Sequence, residues 1–459
     1  FILGLKADFF TDQGAYVRTH GTTVTDLSAG LLPGPYVIPA YDVAGHIRLT
    51  NKTPAGTYRA PGRYESTFAR ERLIDTIADE LGLSPVEVRR VNLIGEAAMP
   101  FDRGFETLGT KVVYDSGKYA DLLARLLAHL DYDRLQQQLA ERRSRGELVG
   151  LGLGYFVEKS GLGPQDLVRM KADARGDIEI VTGVASVGQG VETALAQICA
   201  ETLQVPTERI RVIHGQTDRI EIGFGAFASR VTVMAGSAVK IAAEALRASA
   251  LEVAAKLLQT TPEALRLSNG MIETVNGSAS LPLGDVAAHL HETGGLVGEG
   301  RFASSHMTYP YGIHAAQVRV DPATCAVTIE RYVVAYDVGR AVNPMLIEGQ
   351  IVGGVAQGVG GALLEEFVYD ENGQPLAASF ADYLMPTCHE VPEVEVILRE
   401  DAPSPLNPLG VKGAGEGGIN AAGAALAGAI DAAIQKPGAV VQLPITPGRL
   451  HAMLRGSRS

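Results

Sequence analysis

An α+β fold, with mixed sheets and packed helices, is what this sequence predicts, and three patterns predict it. Polar and apolar residues alternate in short runs, most clearly Ala316-Gln317-Val318-Arg319-Val320 and Val327-Thr328-Ile329-Glu330-Arg331-Tyr332-Val333. Elsewhere apolar residues recur at helical spacing over longer stretches. The two kinds of element interleave without a regular βαβ rhythm, and no repeat of fixed period is present.

Taken in order, residues 1–60 read as short strands and turns, opening on Phe1-Ile2-Leu3-Gly4-Leu5 and punctuated by Gly34-Pro35, Pro39, Pro54 and Gly56. Because Phe1 stands where a Met would start a chain, an upstream portion is expected. Over 64–81 the pattern turns helical, with Phe68, Leu73, Ile74, Ile77 and Leu81 on one face and Gly82 as its stop. Ser84-Pro85-Val86-Glu87 opens the next helix as a capping box with proline at the first helical position. One long helix is expected over 119–143, a strand pair over 150–183, and helices over 191–203 and 229–258. Alternating strands resume over 311–337, followed by helices over 344–366 and 417–435.

Of the 459 residues 46% are hydrophobic and 20% charged, ordinary values for a globular chain with a large core. The net charge of −12 argues against a nucleic-acid binder, which presents a basic face, and the absence of Trp removes one stacking platform. Cys199, Cys325 and Cys388 lie too far apart in sequence for a zinc or iron–sulfur motif and read as small apolar fillers in a reducing, cytoplasmic setting. The apolar stretch from Leu346 to Leu364 contains Glu348, Gln350 and Gln357, so no membrane span is expected. The informative excess is 53 glycines, above the usual share of about 7%.

Common motifs fail on context. Gly150-x-Gly152-x-Gly154 follows the charged segment 142–147, with no helix opening behind it, against a dinucleotide fingerprint. His289-x-His291 reads as a surface pair, since residues two apart on a helix do not share a face.

Four glycine-rich segments call for more than packing. Gly188-Gln189-Gly190 leads into a helix, where exposed amides suit an anion, although a tight turn is the plainer account. Gly223-Phe224-Gly225-Ala226-Phe227-Ala228-Ser229-Arg230 does the same, with Ser229 a candidate N-cap. Asn343-Pro344 precedes Gly349-Gln350 and Gly353-Gly354, either a close-packing helix or one that aims Gln350 into a site. The last, Gly410-Val411-Lys412-Gly413-Ala414-Gly415-Glu416-Gly417-Gly418, surrounds one carboxylate with glycine at the start of an apolar helix. Glu416 there is either a helix cap or a base, with burial raising its proton affinity and the helix terminus lowering it.

In order and wording these segments resemble the molybdenum hydroxylase family of xanthine dehydrogenase, aldehyde oxidase and carbon monoxide dehydrogenase large subunits. The landmarks are Thr57-Tyr58-Arg59-Ala60-Pro61-Gly62-Arg63, Arg72-Leu73-Ile74-Asp75, Arg89-Arg90-Val91-Asn92-Leu93-Ile94 and Gly188-Gln189-Gly190-Val191-Glu192-Thr193. Then come Tyr336-Asp337-Val338-Gly339-Arg340, Asn343-Pro344, Glu348-Gly349-Gln350 and Gly415-Glu416. The resemblance implies a molybdenum–molybdopterin cofactor, in its cytosine dinucleotide form, bound by two subdomains. Residues 1–145 would be the C-terminal portion of the first and 146–459 the second.

It also implies Glu416 as the base that deprotonates a molybdenum-bound hydroxyl before attack on an electron-poor sp² carbon of an aldehyde or N-heteroaromatic substrate. Gly188, Gln189 and Gly190 would bind the dinucleotide, and Gln350 the dithiolene side. Ala60, Ala226, Phe227, Ser229, Gly413 and Gly415 would complete the cofactor pocket, while Arg59 and Ala228 would line the metal without ligating it. Ala60 stands where the carbon monoxide branch has cysteine, which disfavours copper. Leu27 and Pro61 replace the arginine and phenylalanine of purine oxidisers, which puts xanthine in doubt. The family's earlier Gly-Phe-Gly-Gly loop is not in this sequence, so a second molybdopterin-binding chain or a missing N-terminal part is implied. Iron–sulfur clusters and FAD would sit on partner subunits. The alternative is a non-catalytic cofactor-binding scaffold of such a complex.

Overall fold

The computed structural model describes residues 1–455. Two four-stranded sheets form its body. In spatial order the first comprises Val394–Arg399, Val327–Asp337, Tyr311–Val320 and Leu148–Val157; the second comprises Leu296–Ala303, Gln165–Ala172, Ile178–Thr182 and Ile210–Ile213. Each is antiparallel except for one parallel edge pair. Gly4–Asp12 and Ala40–Arg48 pair in parallel as a separate ribbon, and Phe101–Thr107 with Thr110–Tyr114 makes a hairpin.

Each large sheet seats an alanine-rich helix by the same device. The helix Ala422–Ile434 lies across Gly150 and Gly152 so closely that a Cβ on either would collide with helix backbone, and one on Gly154 would meet Ala421 just ahead of it; at Gly152 it would meet Gly428 C at 2.7 Å. On the second sheet Gly298 and Gly300 admit the backbone of Val231–Leu257 around Ala238 and Ala242. Missing side chains let helix and strand backbones touch, which fixes where each helix begins. Both helices begin at the candidate site.

Several expectations change. The Gly150 to Gly154 run lies on a buried strand, and Leu148–Val157 and Gln165–Ala172 belong to different sheets rather than pairing with each other. Thr23–Leu31 is a helix inside the region expected to hold only strands and turns; its buried Leu27 and Leu31 are too few to advertise it. The long helix is two, Tyr119–Leu130 and Tyr132–Ser144, broken at Asp131 with φ of 49°. Ser84 caps Pro85–Asn92 by accepting from Val86 N at 3.2 Å, while Glu87 pairs with Arg90 instead of closing a box. Cys199 and Cys325 are buried fillers, but Cys388 is exposed. His289 and His291 are exposed, and among the described residues no cluster of His, Cys, Asp or Glu could hold a metal ion. One stretch, Gly417–Ile434, is long and apolar enough to cross a membrane, yet 94% of it is buried inside the protein.

The helix Arg63–Glu80 carries the largest surprise. Leu73 and Leu81 face outward, and its buried side is polar, with Arg63, Arg70, Glu71 and Arg72. Glu71 accepts from Arg70 Nε and Arg89 Nε at 2.9 Å each, from Tyr155 N at 3.0 Å and from Tyr36 OH at 3.1 Å. A fully enclosed carboxylate is tolerable because its acceptor positions are filled and two guanidinium groups balance it. This cluster clamps the helix onto Leu148–Val157 and so places Arg63 under the site.

Candidate active site

A cavity of about 950 Å³ opens between the two sheet–helix layers. Three long helices start at its wall: Val191–Leu203 behind Gly190, Val231–Leu257 behind Ser229 and Arg230, and Pro344–Leu363 behind Asn343. Asn343 caps the third, its side chain accepting from Leu346 N at 3.1 Å. Helix N-termini carry partial positive charge and unpaired amides, so their convergence favours an anionic ligand.

Glu416 stands on this wall, 6% exposed, at the N-terminus of a four-residue helical turn, Gly417–Asn420. Its side chain turns away from the turn it precedes. Oε1 accepts from Ala60 N at 2.9 Å; Oε2 accepts from Ser229 Oγ at 3.0 Å and, more weakly, from Arg63 Nη2 at 3.4 Å. Both donor loops hold unusual backbone for the purpose. Ala60 has φ of 60°, and Ala228 and Ser229 each have φ of 49°, in the left-handed region that non-glycine residues avoid. Such strain costs of order 1–3 kcal/mol per residue and concentrates at functional sites. Ser229 is therefore no N-cap of the following helix but a donor to Glu416.

Arg230, fully buried, anchors that loop by pairing with Asp166 at 2.8 Å and donating to Leu162 O at 2.7 Å. Arg59 anchors the other loop. It donates to Gly415 O at 2.8 Å, to Gln357 Oε1 at 2.7 Å and to Gln350 Oε1 at 3.1 Å, tying three of the sequence-selected segments together.

Gln189, Gly190, Arg59, Ala226, Phe227, Ala228, Ser229, Gln350, Gly415 and Glu416 all line the cavity. Gln189 folds back, its Oε1 accepting from Val187 N at 2.7 Å. Gly188, Ala60 and Gly413 stand off the lining. Ala60 acts from behind through its amide, and a Cβ on Gly413 would meet the Cβ atoms of Ser160 and Ser229 at 2.5 Å, so it is a packing glycine. Leu27 and Pro61 do line the cavity.

The sequence reading missed the groups behind Glu416. Arg63 is buried and donates also to the Lys159 carbonyl at 2.5 Å. Glu158 is buried a short way off, held by Tyr336 OH at 3.1 Å and Asn420 Nδ2 at 3.2 Å; burial and, next, the charge of Glu416 push its carboxyl up to about 8. Lys412 donates to Ser116 O at 2.9 Å and Tyr309 O at 3.2 Å, and burial lowers its ammonium.

An organic ligand with anionic groups suits these walls: amides at three helix starts, the Gln350 side chain and a single carboxylate placed to handle a proton. That donor set fits a pterin dinucleotide carrying phosphates and a molybdenum head.

Comparison with known proteins agrees. Two family models, each described as a molybdopterin cofactor-binding domain, match residues 1–93 and 125–392. The chain is 41% identical over 99% of its length to the 6-hydroxypseudooxynicotine dehydrogenase complex subunit gamma of Paenarthrobacter nicotinovorans. It is 33% identical, again over 99%, to the nicotine 6-hydroxylase large subunit of the same organism. It spans 58% of the length of each of these relatives. Among solved structures, quinoline 2-oxidoreductase from Pseudomonas putida 86 superposes with a TM-score of 0.90 and 32% identity, over 98% of this chain and 59% of that one. Fold, cavity and matched domains together make this chain a member of the molybdenum hydroxylase large-subunit family, within its molybdopterin-binding part.

Proposed function

We propose that this chain is the larger part of the catalytic subunit of a molybdenum hydroxylase and that Glu416 is its base. Residues 1–145 form the C-terminal portion of one molybdopterin-binding subdomain and 146–459 the other. Gln189 and Gly190 hold the dinucleotide, a cytosine form, at the start of Val191–Leu203, with Gly188 shaping the turn behind them. Gln350 holds the dithiolene side, and the Arg59 backbone and Ala228 flank the metal. The cofactor would supply the oxygen destined for the substrate and take up two electrons from it.

The protein's own part is proton handling. A carboxylate offers about four acceptor positions. Ala60 N, Ser229 Oγ and Arg63 Nη2 occupy three on Glu416, which leaves one on Oε1. That one acceptor position without a partner among the described residues, on a carboxylate lining the cavity, carries the reading. The three donors hold the carboxylate in one orientation, so a proton arriving at Oε1 meets a fixed acceptor and needs no rearrangement. Leu27, Pro61 and Leu108 give the cavity an apolar wall suited to an aldehyde or an uncharged N-heteroaromatic ring. Ala60 provides no thiol for copper.

The chain spans under two thirds of its relatives, so a second molybdopterin-binding portion completes the pocket. Iron–sulfur and flavin subunits carry the electrons onward, in the cytoplasm. A scaffold role would leave Glu416 without work. Glu416→Gln in the assembled complex, with molybdenum content held equal, tests the choice. The base reading expects substrate-dependent dye reduction to fall by about 10²–10⁴-fold; unchanged turnover would support the scaffold.

A further inference from the structure

Glu158 is a second buried carboxylate that the chemistry above does not use. It follows the strand Leu148–Val157 directly and is fully enclosed. Tyr336 OH and Asn420 Nδ2 donate to its Oε2, while its Oε1 has no hydrogen-bond partner among the described residues. The same two groups reach the Glu416 loop: Asn420 Nδ2, with its second hydrogen, donates to the Glu416 carbonyl at 3.1 Å, and Tyr336 OH, whose single hydrogen is shared between Glu158 Oε2 and the Gly413 carbonyl, lies 2.9 Å from the latter. One hydrogen-bonded frame thus holds both carboxylates.

The charged and titratable groups facing this frame come from every side. Arg63, from its helix, donates to Glu416, and its charge also reaches Glu158, where it favours the ionised form; Arg59, from the opposite loop, is taken up by Gly415, Gln350 and Gln357. Tyr336 comes from the neighbouring strand. His314 bonds Gly417 O and Tyr332, and burial lowers it to about 4, so it adds no charge. Lys159, next in the chain, is spent on Thr107 O and Thr110 Oγ1.

Enclosure and, next, the like charge of Glu416 favour the neutral acid at Glu158 and outweigh the opposing pull of the Arg63 charge. We propose that Glu158 is a positioning residue that carries a proton at neutral pH and so puts no second negative charge behind Glu416. This rests on the reading of Glu416 as the base. Above about pH 8 Glu158 gives up its proton. A second negative charge in the shared frame then repels the Glu416 carboxylate and loosens the fixed acceptor, and turnover falls.

The test uses the assembled complex, with quinoline as substrate probe and an artificial dye as acceptor. In wild type, kcat/KM should fall on the alkaline side by up to about tenfold per pH unit; in Glu158→Gln the fall should be under about twofold. Infrared difference spectra with ¹³C-labelled glutamate should show a protonated carboxylic acid at neutral pH that titrates away with the same midpoint and is missing from the variant. If Glu158→Gln does not assemble, the wild-type infrared titration decides instead, with Tyr336→Phe, which removes the hydroxyl beside Oε2, expected to shift its midpoint. An alkaline fall that persists in Glu158→Gln, or an infrared band that survives there or never titrates, overturns the proposal. Glu416→Gln separates the two claims. Retained turnover in that variant would refute the base, while the infrared band would still report on Glu158.

Discussion

Gly152→Ala puts the link between packing and chemistry to a direct test. The added Cβ would sit 2.7 Å from Gly428 C and closer still to backbone atoms of Ala425 and Ala429, where ordinary contact begins near 3.4 Å. Every blocking atom is main chain in a helix, so no side chain can swing aside. The helix Ala422–Ile434 must retreat from the strand by roughly an ångström, and overpacking of that kind costs about 1–3 kcal/mol. Glu416 stands just ahead of this helix, tethered to Ala60 and Ser229 on elements that do not move with it. A displacement of about an ångström at a reacting group can cost on the order of 10²-fold in rate. Denaturant midpoints and dye-reduction kinetics of the assembled complex would read both effects. Gly95→Ala is the control, because its φ of −72° is ordinary and a Cβ there meets nothing within 4 Å among the described residues. A Gly152→Ala protein as stable and as active as that control would refute the argument.

Other expectations follow from single contacts. Glu71→Gln takes the carboxylate from Arg70 and leaves Arg89 only its second partner, Asp75 at 2.8 Å, and should lower stability by about 3 kcal/mol, read as a denaturant midpoint; a shift within error would mean that the cluster is not the clamp described. Ser229→Ala removes one donor to Glu416 and should lower kcat/KM about tenfold, equivalent to about 1.4 kcal/mol, with unchanged unfolding; equal rates would remove Ser229 from the site. His314, at about 4 in the fold against an ordinary 6.5, favours the folded state fully above pH 6.5, and that contribution is lost as pH falls through about 4. His314→Gln should therefore abolish a loss on the order of 3 kcal/mol across that window, measured by urea unfolding at several pH values. An identical acid loss in the variant would contradict it.

The site was legible where its chemistry is local in sequence. Glycines packed around Glu416, or before the helix at Val191, stand out because few other duties require them, and the order of segments carried the resemblance. What stayed hidden is made of distant pairs. Glu158 ends an ordinary-looking strand, and nothing in its neighbours announces that Tyr336 and Asn420 will close on it. Arg63 was in a quoted motif without a role, since its partner lies 353 residues away. The helix Arg63–Glu80 misled because burial was inferred from apolarity, whereas its inner face is an ion cluster. The glycines at 150, 152 and 154 weakened the strand signal because the partner they admit, a helix far along the chain, is invisible locally.

An experimental structure of the assembled, molybdenum-loaded complex tests the central claim most directly. The account places the Glu416 carboxylate within about 2.6–3.2 Å of an oxygen ligand of the metal, the reach of a proton transfer, with Ala60 N and Ser229 Oγ still bonded to it. A carboxylate turned to solvent, or a pterin bound with its metal away from Ala228 and Glu416, would contradict it.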